Sequence, residues 1–88
     1  MQLTASKRAE GDYYQSEEYL ALLDETGKQI RLQKYLVRYG PNDDYATLLD
    51  EAMPLTEFLE SHEKLQMMTG WFGATKAEEL IAKVRTLA

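Results

Sequence analysis

The chain contains no cysteine. That excludes a disulfide framework, a cysteine-ligated zinc site and a cysteine nucleophile together. Histidine and tryptophan each occur once, and proline twice. Long apolar runs are missing too. The longest is Tyr19-Leu20-Ala21-Leu22-Leu23, far short of the ~20 apolar residues that a membrane-spanning helix needs. The opening Met1-Gln2-Leu3-Thr4-Ala5-Ser6-Lys7-Arg8 has no apolar centre of the kind a secretion signal carries. The expectation is a soluble, cytoplasmic protein with no membrane contact.

What is present fits one small domain, residues 1–88. Hydrophobic residues make up 44% and charged residues 28%, an ordinary globular balance. A chain of this size buries a modest core without staples, so self-association as a homodimer stays open. The net charge of −5 disfavours nucleic acid, whose binding depends on Lys and Arg displacing counterions.

Along the chain, residues 1–11 leave helix, strand and frayed end equally open. The segment Asp24-Glu25-Thr26-Gly27-Lys28 separates two apolar runs. Asp opens a type I turn and Gly supplies positive φ after it, which predicts a β-hairpin. Gln29-Ile30-Arg31-Leu32-Gln33 alternates with period two. Residues 33–39 fit either a continued strand or a helix stopped by Gly40-Pro41. The strand is preferred because Tyr35, Val37 and Tyr39 alternate.

From Asn42 the spacing turns helical. Asn42 or Asp43 can cap a helix with Tyr45, Leu48, Leu49, Ala52 and Met53 on one face. Pro54 closes it and opens a second helix, with Leu55, Phe58, Leu59, His62, Leu65 and Met68 on one stripe. Gly70-Trp71-Phe72-Gly73 interrupts, and Thr75-Lys76-Ala77-Glu78 has capping-box spacing. Ala77, Leu80, Ile81, Val84 and Leu87 then form a last apolar face. The expected fold is α+β: an N-terminal antiparallel hairpin or small meander, then about three amphipathic helices packed on it.

No motif brings catalytic groups together. Ser6, Ser16 and Ser61 lack a G-x-S-x-G setting, and the glycines around Trp71 lack the spacing of a phosphate loop. His62 stands alone without metal-ligand spacing. It reads as a half-buried helix histidine. Asp43-Asp44 and Asp50-Glu51 lack the alternating ligands and central glycine of a calcium loop. No cofactor or metal is expected.

Charge segregation is the salient feature. Residues 28–38 hold four basic and no acidic side chains; residues 42–63 hold seven acidic and no Lys or Arg. The acidic helices either face the basic strand or form an outward patch that attracts a basic partner. The leading expectation is a non-catalytic protein-interaction module, an adaptor, inhibitor or regulator. Its candidate contacts are Asp43, Asp44, Asp50, Glu51, Glu57, Glu60, Trp71 and Phe72. Trp71 and Phe72 also fit a helix-corner core. One alternative is nucleic-acid binding through Lys28, Arg31, Lys34 and Arg38. The other is a small-ligand site or minor enzyme using His62. The tyrosines, concentrated in the first half, read as sheet formers that pair across strands.

Overall fold

The computed structural model describes residues 1–8, 14–40 and 44–88. Four strands are followed by three helices, an α+β arrangement. The strands are β1 (Gln2–Arg8), β2 (Gln15–Asp24), β3 (Gln29–Arg38) and β4 (Asp44–Pro54). The helices are α1 (Leu55–Glu60), α2 (His62–Phe72) and α3 (Ala74–Leu87). The sheet is an antiparallel meander in the order β1-β2-β3-β4.

The predicted hairpin joins β2 to β3, and β3 continues as strand to Arg38. Its turn works differently from the expectation. Positive φ falls on Lys28, at 52°. Gly27 is needed for closeness instead: its N–H donates to Asp24 Oδ1 at 2.9 Å. A Cβ there would strike the same carboxylate, 3.1 Å from its Cγ. The N-terminal segment left open by the sequence is strand β1, paired along β2 from Gln2↔Leu22 to Arg8↔Ser16.

The largest departure is β4. The segment expected as a helix bearing Tyr45, Leu48, Leu49, Ala52 and Met53 is an edge strand of 11 residues. Its register against β3 shifts between Lys34↔Leu49 and Tyr35↔Thr47, so Leu48 is an extra residue, a β-bulge. The bulge inverts the alternation of side chains. Leu49, Glu51 and Met53 share a face with Lys34, Leu32 and Ile30 on one side of it. On the other side, Thr47 and Tyr45 share the opposite face with Tyr35 and Val37.

The helices also differ in detail. The second predicted helix breaks at Ser61, whose Oγ accepts from the Lys64 N–H at 3.2 Å and caps α2. Helix α2 runs on through Gly70, Trp71 and Phe72. The break falls at Gly73, with φ 85° and ψ 161°, a conformation natural only to glycine. The Thr75–Glu78 capping box does not form. Helix α3 begins at Ala74 behind Gly73, with no side-chain cap.

One hydrophobic cluster joins the layers: Ala21, Leu23, Ile30, Leu32 and Met53 from the sheet, with Leu55, Phe58, Met68, Ala77, Leu80 and Val84 from the helices. Helix α1 packs on β3 and β4, and α2 on β1. All buried strand residues lie in the half of the sheet nearest the β2–β3 turn. The far half, residues 14–18, 35–40 and 44–48, contains no buried residue. The sheet therefore projects beyond its helical layer in a molecule measuring 44 × 24 × 19 Å.

Candidate functional site

The structure disperses the acidic residues singled out from the sequence. Asp43 lies outside the described residues. Asp44, Asp50 and Glu51 sit on strand β4 rather than on a helix, and each meets a cation. Arg38 approaches Asp44 at 3.9 Å. Lys64 of α2 reaches Glu51 at 2.6 Å. Arg31 grips Asp50 with two parallel bonds, Nε to Oδ1 at 2.9 Å and Nη2 to Oδ2 at 2.8 Å. The Arg31 guanidinium bonded to Asp50 holds its carboxyl below the ordinary range. Asp50 and Glu51 are strand neighbours, so they point to opposite faces. Of the two expected outcomes for the segregated charge, the acidic segment lies beside the basic strand. Glu57 and Glu60 are exposed on α1, with no ion pair among the described residues.

The basic residues are separated by the same alternation. Lys28 lies in the turn. Arg31 faces one side of the sheet, while Lys34 and Arg38 face the other. Lys34 approaches Glu17 at 3.8 Å, so three of the four cations have carboxylate partners.

Trp71 and Phe72 serve the junction between α2 and the sheet. Both pack against the hydrophobic cluster. Trp71 stacks on Tyr19 with centroids 5.1 Å apart and planes 20° apart, and Phe72 meets Trp71 edge-on at 5.9 Å. Tyr19 is buried, and its hydroxyl donates to Glu17. Burial first, then that hydrogen bond and the Glu17 charge, push its hydroxyl from 10.0 to about 12. His62, expected half-buried, is exposed at the first position of α2. It lines an open groove between α2 and α3 with Leu65, Ile81 and Arg85. Among the described residues no three metal-binding side chains converge.

The feature that sequence reasoning missed lies on the helix-free face of the sheet's far half. Tyr35 of β3 and Tyr45 of β4 meet there edge-to-face, with centroids 5.8 Å apart and planes at 87°. Tyr45 is 71% exposed, and Tyr14, Tyr39 and Leu48 at the same end are at least half or nearly half exposed. The two rings line one open groove of about 470 Å³ together with Glu18, Val37, Asp44 and Thr47. Among the described residues Glu18 has no cation within ion-pair distance. A second hollow shares Glu18 and Tyr35 and continues toward β1 past Leu20, Ser6 and Thr4. The concentration of tyrosine in the first half was the available signal, but it did not show which rings would meet.

No family model, curated protein or solved structure matches this chain.

Proposed function

We propose that the chain is a non-catalytic protein-interaction module that contacts its partner with the helix-free face of the far half of its sheet. The carrying observation is the exposure of aromatic surface where no helix covers it, with Tyr45 71% exposed beside Tyr35. An antiparallel sheet can leave one face to water, and such a face is ordinarily polar. Here it carries tyrosines, the residue type enriched at protein interfaces because one ring offers apolar area and a hydrogen-bonding tip. The ion pairs of Arg31, Lys34 and Arg38 weigh against the nucleic-acid reading. Their counterparts on Asp44, Asp50 and Glu51 weaken a contact carried by those acids, which leaves Glu57 and Glu60 as its remaining version.

The test compares capture of proteins from a lysate of the source cells by the tagged chain and two variants. Tyr35→Thr with Tyr45→Thr preserves strand propensity and removes the rings. Glu57→Gln with Glu60→Gln removes the free acids of α1. A protein held by the parent and the glutamine variant but lost by the threonine variant supports the sheet face. Loss with the glutamine variant alone returns the contact to the helix. Equal retention by both refutes the proposal.

A further inference from the structure

We infer that the groove beside Tyr35 and Tyr45 takes a cationic side chain, Lys or Arg, from a basic segment of a partner protein. The inference rests on the sheet face being the contact surface and specifies what docks there.

Charge and ring geometry carry the argument. Tyr35 and Tyr45 meet nearly perpendicular, and Tyr45, 71% exposed, leaves most of its ring open beside the groove they line. A cation is drawn to a ring face by the aromatic quadrupole. Glu18 borders the groove on the same face as the rings, whereas Asp44 touches its rim from the strand end and is paired in register with Arg38 on the opposite face. Only Asp44 has a cation within ion-pair distance among the described residues, Arg38 at 3.9 Å, and both of those side chains are more than half exposed. Arg31, further along this face, is occupied by Asp50. Arg8 shares this face through Ser16 and Val37 but is not within ion-pair distance of Glu18, so the Glu18 carboxylate stands beside the two rings without an ionic partner among the described residues. The groove is a shallow hollow of about 470 Å³, open to solvent.

The same inventory disfavours other occupants. Nucleic acid would set phosphates against Glu18. A second copy of this chain brings a net charge of −5, so its approach is opposed at the outset. A basic segment is the partner whose field is complementary.

The experiment titrates the full chain, isotopically labelled, with two synthetic peptides and follows its amide resonances. One is acetyl-Gly-Arg-Gly-Arg-Gly-amide. The other replaces each arginine with citrulline, which keeps the shape and removes the charge. The arginine peptide should shift Glu18, Tyr35, Val37, Tyr45 and Thr47 together, and the citrulline peptide should not. Tyr45→Thr should weaken arginine-peptide binding about two- to thirtyfold, the span of one cation–aromatic contact, and Glu18→Gln about 1.4- to fivefold, the span of one exposed ion pair. Raised salt should weaken it further, since the groove is open to solvent. Equal shifts with both peptides, shifts centred on Glu57 and Glu60, or no shift at millimolar peptide would each overturn the inference. If no shift occurs but the double threonine variant still loses its captured protein, the cationic occupant falls while the contact surface stands. If capture also survives that variant, both fall.

Discussion

Replacing Phe58 by alanine tests whether α1 is held by its one large anchor. The helix has 6 residues and no side-chain cap, too short to persist alone, since nucleating a helix is costly. What fixes it is burial: Leu55 is 1% exposed and Phe58 0%. Removing a buried phenylalanine costs about 3–5 kcal/mol, part lost transfer energy and part cavity. A chain of 88 residues is ordinarily stable by about 4–13 kcal/mol. Phe58→Ala should thus remove a quarter or more of the total, or leave the chain largely unfolded. The control is Leu48→Ala, an equally apolar residue at the bulge, 49% exposed, which should cost less than about 0.5 kcal/mol. Urea unfolding followed by far-ultraviolet circular dichroism and Trp71 emission reads both, because Trp71 stacks on Tyr19 at the helix–sheet junction. A loss below about 1 kcal/mol for Phe58→Ala, or an equal loss for Leu48→Ala, would refute this location of the core.

Three further outcomes are expected. Gly70→Ala should raise the melting temperature by the equivalent of about 0.5–1 kcal/mol, because Gly70 is helical with open space around it. Gly73→Ala should lower it by about 1–3 kcal/mol, because φ is +85° there. Tyr19 should ionise near pH 12, a late rise in phenolate absorbance that Tyr19→Phe abolishes. Its raised value means that its contribution to stability is complete below pH 10 and is lost as pH climbs through about 12. Urea midpoints across that interval should therefore fall more for the parent than for Tyr19→Phe. The Asp50 carboxyl should titrate below the ordinary range by carboxyl-carbon resonance, and Arg31→Gln should move it back up. Its depressed value contributes stability above the unfolded-state pKa that is lost as pH falls through the folded one.

Where backbone and side-chain signals agreed, the fold was legible. Asp24 and Gly27 bracket a turn, and Ile30 and Leu32 keep strict alternation, so the hairpin followed. The spacing of Ala77, Leu80 and Val84 marked the buried face of α3. Strand β4 misled for a physical reason. The extra residue at Leu48 slips the alternation by one, so Tyr45, Leu48, Leu49, Ala52 and Met53 acquire helical spacing without sharing a face. Ser61 was unreadable as a break because its role depends on the hydroxyl turning to Lys64. Gly70 and Gly73 look alike in sequence, and only the second ends a helix. The groove was hidden by the same slip: with Tyr45 assigned to a helix, nothing placed it against Tyr35.

Because every buried strand residue lies toward the turn end of the sheet, the projecting half is mutationally cheap. Substitutions at Tyr45, Thr47 or Glu18 leave the cluster around Phe58 untouched. Surface chemistry can drift there by single changes that each remain foldable. A chain of this size would otherwise have little tolerance for such change, since most of its residues must help hold it together. For the proposed contact surface this would make partner preference and foldability nearly separate traits.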